Sequence, residues 1–254
     1  MRIVRVKTAE GPVWGAVDGE EVRRLPEGPF AATQGLTDSL GRLADIELLA
    51  PAVPSKIVCV GRNYVAHAAE HGADVPTEPL LFLKPPSAVL SPGSAIVLPE
   101  LSNQVEHESE LALVVGSRAS QVPEDCAWSF VLGVTCGNDV TARDLQRSDN
   151  QWTRGKGFDT FCPLGPWVVT GMDEEQAGNV ELSCRVNGEL RQRAGTDQMV
   201  FSPAFLISYI TQVMTLEPGD VIMTGTPSGV GPLEPGDTVE VEIEGIGTLS
   251  NTVT

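Results

Sequence analysis

The sequence predicts a β-rich α+β fold, and three observations carry that prediction. The 254 residues include 26 glycines and 19 prolines. That is well above the roughly 12% of average usage, and both residues mark turns. The apolar runs are short and bounded by such turns, as strands are. Strands and helices do not alternate in the βαβ rhythm of a parallel sheet. With 41% hydrophobic and 20% charged residues, the chain has the material for a core and does not read as disordered.

Residues 1–50 read as a small N-terminal β-rich domain. Positions 2–6 and 13–17 alternate polar and apolar around Gly11-Pro12, a hairpin signal. Ala50-Pro51-Ala52-Val53-Pro54 reads as a stiff linker, and residues 51–254 as the larger domain. There, residues 56–60 form an apolar strand ended by Gly61, and residues 64–71 have helical composition. Residues 80–83 make a short strand stopped by Pro85-Pro86, and residues 108–115 a strand that turns fully apolar. Residues 131–140 are a long β-rich run. Residues 141–152 are polar and helix-compatible, with Thr141 and Asp144 at capping-box spacing. The clearest helix is 202–214. Ser202 is a good N-cap, Pro203 suits the first turn, and Phe205, Leu206, Tyr209, Ile210 and Val213 fall on one face. Strands at 221–224, 238–243 and 248–253 close the chain.

Charge narrows the function. Acidic residues number 34 and basic residues 17, a net charge of −17. Such a surface repels phosphate backbones and anionic lipid, which argues against nucleic-acid and membrane-surface partners. No apolar run approaches the length of a membrane span, and the first residues lack the apolar stretch of a secretory signal. The five cysteines form no Cys-x-x-Cys pair. They read as free, mostly buried thiols in a reducing compartment, so a cytoplasmic location is expected.

Chemistry concentrates in a few places. In Glu108-Ser109-Glu110, residues i and i+2 of a strand share a face, so two carboxylates project together. A solvated strand end and a cation site both account for them. Asp139 ends a long apolar run, and a buried carboxylate there needs a partner. Capping of the following helix is one explanation and a metal is another. Three carboxylates without His or Cys make a hard-oxygen set, which suits Mg²⁺, Mn²⁺ or Ca²⁺ and not zinc. His67 and Glu70 are neighbours if their segment is helical. The pair reads as a general base with its orienting carboxylate, or as an ordinary surface pair. His107 faces the other side of its strand and reads as structural. Lys156 lies between Gly155 and Gly157 without P-loop spacing, and residues 225–231 form a Gly-rich turn without a dinucleotide pattern. That turn is either structural or a source of backbone N–H groups for an anion.

Together these residues resemble the fumarylacetoacetate hydrolase family. The likeness rests on Gly61-Arg62-Asn63-Tyr64, on His67 with Glu70, on Glu108-x-Glu110-Leu111, and on Asn138-Asp139-x-Thr141-Ala142-Arg143-Asp144-Leu145-Gln146. It continues in Lys156-x-Phe158-Asp159, Gly165-Pro166-Trp167 and Thr224-Gly225-Thr226-Pro227-x-Gly229-Val230-Gly231. It runs from about residue 56 to the end, and the dyad spacing resembles the short bacterial branch of acylpyruvases, oxaloacetate decarboxylases and 2-hydroxyhepta-2,4-diene-1,7-dioate isomerases. The resemblance implies a family-type β-sandwich roll, usually a homodimer. It implies Mg²⁺ or Mn²⁺ on Glu108, Glu110 and Asp139, and catalysis by His67, Glu70 and Lys156. Arg143, Gln146, Lys156 and Thr226 would hold a small 2-oxo acid or dienoate substrate. The implied reaction passes through a metal-stabilised enolate and cleaves a C–C bond, by acylpyruvate hydrolysis or oxaloacetate decarboxylation. The alternatives are isomerisation of a 2-hydroxydienoate, or a silent member that only binds such ligands. A Mg²⁺ phosphatase or nuclease is disfavoured by the chain's charge.

Overall fold

A computed structural model describes residues 1–31, 35–70, 72 and 74–254. One large sheet of twelve strands organises the chain. Its main path runs Ser39–Arg42, Glu21–Arg24, Gly11–Asp18, Arg2–Thr8, Cys162–Val169, Val131–Asn138, Ser109–Val115, Val221–Met223, Ile57–Gly61, Leu80–Lys84. Two short strands, Leu48–Leu49 and Val89–Leu90, join it from the side. Along that path only Val221–Met223 and Ile57–Gly61 pair in parallel. The N-terminal hairpin extends this sheet, with Ile3 opposite Val168.

A second sheet packs on the first. Its order is Glu189–Gly195, Glu181–Val186, Thr238–Ile243, Gly247–Val253, Ala95–Ile96. Strand Ser109–Val115 explains the resulting core. Leu111, Leu113 and Val115 pack with Leu182, Val241 and Leu249 of the second sheet. Ala112 and Val114 point the other way, into a cluster with Ile3, Val168 and Met223. Both faces are covered, so the strand reads as an unbroken apolar run. A third, three-stranded sheet joins Thr141–Ala142, Val105–His107 and Gly231–Pro232.

The helices are short. They are α1 (Val65–Glu70), α2 (Arg143–Ser148), α3 (Thr153–Lys156), α4 (Glu174–Ala177) and α5 (Pro203–Val213). The helix expected over 64–71 forms as α1, while His71 lies outside the described residues. In α5, Ser202 caps as expected, accepting from the Phe205 N–H at 3.2 Å. Of its expected face Leu206 and Ile210 are buried, together with Ala204, Ile207 and Thr211, whereas Val213 is 69% exposed. Phe205 instead stacks between Phe201 and Tyr209 on a half-buried stripe. The capping box expected at Thr141 and Asp144 is absent. Thr141 turns its hydroxyl to the Asp139 carbonyl, and the Asp144 carboxylate takes Ser102 and the Asn103 N–H. The hairpin of Glu181–Val186 and Glu189–Gly195 turns on Asn187-Gly188, both left-handed, the dipeptide that a two-residue type I′ turn favours.

Candidate active site

Three chain reversals bring the acidic residues together. Glu108 interrupts the expected continuous strand: Val105–His107 ends before it and Ser109–Val115 begins after it. Its N–H is held by the Asn138 side chain at 2.9 Å, and the Asp139 N–H donates to its carbonyl at 2.8 Å. This cross-tie sets the start of one strand against the end of its antiparallel neighbour Val131–Asn138. Glu108, Glu110 and Asp139 are all buried, with one carboxylate oxygen of each within 4.8 Å of the others.

Buried carboxylates that close need cations. Lys156, at the end of α3, donates to Glu108 Oε2 at 2.8 Å and to Asp139 Oδ2 at 2.6 Å. Lys84, at the end of Leu80–Lys84, pairs with Asp139 Oδ1 and donates to the Val140 carbonyl at 3.0 Å. Arg143, opening α2, spans Glu106 at 2.7 Å and Glu108, and reaches Gln146 Oε1 at 2.6 Å. Burial opposes ionisation of Glu108, but Lys156 and Arg143 outweigh it and hold that carboxyl well below the usual range. Burial also opposes the Lys156 charge, yet Asp139 and Glu108 raise its ammonium above the ordinary value. Glu110 is different. Among the described residues it has no ion-pair partner, only the Gly225 N–H at 2.7 Å. Burial, then the charges of Asp139 and Glu108, push its carboxyl well up.

That imbalance suits a metal. Glu106, Glu108, Glu110 and Asp139 face three fixed cations, Lys84, Lys156 and Arg143, which leaves the cluster one cation short. A divalent ion held by Glu108, Glu110 and Asp139 would relieve Glu110 directly. The donors are all hard oxygens, which suit Mg²⁺ or Mn²⁺.

Glu108, Glu110 and Lys156 of this cluster floor a cavity of about 430 Å³ lined also by His67, Arg143, Gln146, Trp152 and Thr226. His67 Nδ1 lies 3.3 Å from Glu70 Oε2 on the same face of α1. Burial lowers the His67 pKa, although Glu108 and Glu70 pull the other way. Burial therefore favours the neutral imidazole. Glu70 is anchored in turn by the Gly229 N–H at 3.0 Å. The Gly-rich turn thus spends two of its backbone donors on this chain's own carboxylates, Glu110 and Glu70. Both glycines are required. Gly225 has φ +102° and an added Cβ would lie 2.7 Å from Asn63 Cβ. Gly229 has φ +96° and its Cβ would meet the Arg191 carbonyl at 2.1 Å.

The structure therefore brings His67, Glu70, Glu108, Glu110, Asp139, Arg143, Gln146, Lys156 and Thr226 to one place. Sequence reasoning missed Lys84, Glu106 and Gln192. Lys84 left a signal, as one of only four lysines and the polar end of an apolar run. Gln192 left none, because it arrives from the second sheet.

Residues 56–254 match the family described as fumarylacetoacetate (FAA) hydrolase, C-terminal. The chain belongs to the fumarylacetoacetate hydrolase family. Residues 1–51 match a second family, the Rv2993c-like N-terminal unit. The chain is 46% identical over 220 residues to the oxaloacetate tautomerase FAHD2B, mitochondrial, of Bos taurus, covering 83% of this chain and 70% of that protein. Two solved structures span the whole chain. The 5-carboxymethyl-2-hydroxymuconate delta-isomerase of Mycobacterium smegmatis is 47% identical with a TM-score of 0.92, over 100% of this chain and 99% of its own. The 2-hydroxyhepta-2,4-diene-1,7-dioate isomerase of Mycobacterium marinum is 45% identical with a TM-score of 0.91, over 100% and 98%. The strand-rich fold expected from composition agrees with these neighbours. Among the described residues no helix is long and apolar enough to cross a membrane.

Proposed function

We propose that this member of the family is a divalent-metal enzyme acting on a small 2-oxo acid, or on its 2-hydroxydienoate form, through an enolate. The observation that carries the reading is the buried carboxylate triad, whose Glu110 has no ion-pair partner among the described residues, beneath a cavity that also presents His67. Held by Glu108, Glu110 and Asp139, Mg²⁺ or Mn²⁺ would supply Lewis acidity to the 2-oxo group and lower the cost of negative charge beside it.

The chain's own residues do the rest. Lys156 donates to both Glu108 and Asp139 and places a fixed positive charge on the cavity floor. Lys84 secures Asp139 from the other side. Arg143 and Gln146, bonded to each other, form the wall that meets the anionic substrate. His67 is the proton carrier. Glu70, against Nδ1, orients the ring and stabilises it once protonated. Trp152 packs edge-on to Phe82, with ring centroids 5.2 Å apart, and closes one side against water.

Two kinds of outcome share this chemistry, C–C cleavage and proton transfer. In the first, His67 takes a proton from water, the hydroxide adds to C4 of an acylpyruvate, and C3–C4 breaks to give a carboxylic acid and the pyruvate enolate, which is protonated at C3; if C4 is instead the carboxylate of oxaloacetate, CO₂ departs, no water is needed, and the same enolate is left to be protonated. If His67 only moves a proton on carbon, the product is a tautomer or double-bond isomer. The names of the relatives support this second outcome. The deciding experiment follows three signals with Mg²⁺ and again with EDTA: loss of enol-oxaloacetate absorbance, pyruvate release from oxaloacetate, and acetylpyruvate cleavage. Enol loss without pyruvate assigns proton transfer, and pyruvate release assigns C–C cleavage. Turnover that persists in EDTA would overturn the metal-dependent reading.

A further inference from the structure

Gln192 is buried where its strand is not. Glu189, Leu190, Arg191 and Arg193 are exposed, whereas Gln192 is 1% exposed. A buried amide is costly unless each polar atom finds a partner. Two backbone groups fix which way this amide points. Its Oε1 accepts from the Ser109 N–H at 3.0 Å, and its Nε2 donates to the Pro227 carbonyl at 2.8 Å. Exchanging O and N would set carbonyl against carbonyl and N–H against N–H, so only one orientation is possible. The Ser109 hydroxyl also donates to Oε1, at 2.9 Å, and His107 Nδ1 lies 3.0 Å away.

The consequence falls on Thr226. The second N–H of Gln192 Nε2 donates to Thr226 Oγ1 at 2.8 Å. A hydroxyl has one proton and two lone pairs. Gln192 occupies a lone pair, so the Thr226 proton is not spent on it. Among the described residues Thr226 Oγ1 donates to no protein acceptor, and Thr226 lines the cavity. We infer that Gln192 is a positioning residue: it holds Thr226 as a hydrogen-bond donor aimed at the anionic end of the substrate. The inference rests on the reading of the cavity as a 2-oxo acid site. It gives the second sheet a part in that site, because Gln192 comes from its outer strand.

The test is calorimetric titration with oxalate, a dicarboxylate mimic of a 2-oxo acid's chelating end, on Mg²⁺-saturated protein. The wild type, Thr226→Val, Gln192→Met and the double variant are compared, with Thr226→Ser as the conservative control. Each of the first two single variants should bind oxalate about tenfold more weakly, the scale of one hydrogen bond to a charged group. The double variant should bind no more weakly than Thr226→Val, because Gln192 acts through Thr226. Thr226→Ser should retain affinity. With turnover of oxaloacetate as a second readout, Gln192→Met should raise KM more than it lowers kcat. Effects of Gln192→Met and Thr226→Val that multiply in full would overturn the inference, as would wild-type affinity in Thr226→Val. If Gln192→Met does not fold, the Thr226→Val and Thr226→Ser pair still decides whether a donor is needed. Wild-type protein that binds no oxalate would overturn the 2-oxo acid reading itself, and the inference with it. Oxalate binding with multiplicative effects would overturn the inference alone.

Discussion

At the scale of single residues, the site works by separating the ionisation of neighbouring groups. Lys156 and Arg143 hold Glu108 ionised, while burial and like charge press on Glu110. Glu108→Ala removes one ligand and frees Lys156 and Arg143, so Mg²⁺ affinity should fall by at least tenfold in a calorimetric titration. His67 is placed to act as a base because burial lowers its pKa from 6.5. A base must be unprotonated, so kcat/KM should rise with pH through a value below 6.5 and be level at pH 7. A pH–rate profile checks the sign: a limb above 6.5 would mean that the neighbouring carboxylates, not burial, dominate. His67→Ala should lose most of kcat, on the order of 10²-fold or more for a general base. Its Mg²⁺ affinity should stay at the wild-type level, since His67 holds none of the triad.

At the scale of elements, two ties position the machinery. The Gly-rich turn grips Glu70 through the Gly229 N–H, where no Cβ fits against the Arg191 carbonyl. Gly229→Ala must force the turn and the Arg191 backbone apart, which disturbs the Gly229–Glu70 bond. It should lower kcat without changing Mg²⁺ affinity, because the displaced partner is Glu70 and not the triad. The second tie is Asp220, which is fully buried and joins the segment before Ile57–Gly61 to its parallel neighbour. It accepts from the Ser55 N–H and hydroxyl, the Lys56 N–H and ammonium, and the Glu217 N–H. Burial opposes ionisation of Asp220, but these bonds, led by the Glu217 N–H, carry its carboxyl below the ordinary value. Its contribution to stability is thus present above roughly pH 3.9, the unfolded value, and is lost as pH falls through the lower folded one. Asp220→Ala leaves Lys56 and three backbone donors unpaired. It should cost on the order of 3 kcal/mol, readable as a shift in urea midpoint that shrinks below pH 4.

At the scale of the whole molecule, the proposed metal site ties ion binding to the fold. The triad draws on two strand junctions of the large sheet, so any ion that binds only the folded chain stabilises all of it. At a hundred times its Kd, a bound ion adds about 2.7 kcal/mol. For a chain of this size that is a rise in Tm of roughly 5–10 °C. Thermal melts with 5 mM Mg²⁺ and with EDTA should differ by that amount, and melts of Glu110→Gln should not. Equal melts for the wild type would remove Mg²⁺ from the site.

The amino-acid order by itself determined the strand-rich class, most of the strands, and the candidate residues that the fold brings together around Glu108, Glu110 and Asp139. Alternation and apolar runs depend only on near neighbours, and strands bury faces that such runs already mark. The motif around Glu108, Asp139 and Lys156 was legible for the same reason, since each piece is contiguous. The Asn187-Gly188 hairpin also carried its signal locally. What only the tertiary structure decided is how those pieces compensate one another. Lys84 reaches Asp139 across 55 residues, Gln192 reaches Thr226 across 34, and Glu70 meets Gly229 across 159. None of these distances leaves a period in the chain. The buried face of α5 followed the same rule, because the 3₁₀ segment Glu124–Phe130 it lies against, and not its own pattern alone, chose which stripe to cover. Burying charge demands partners, and the fold supplies them from wherever the strands happen to end.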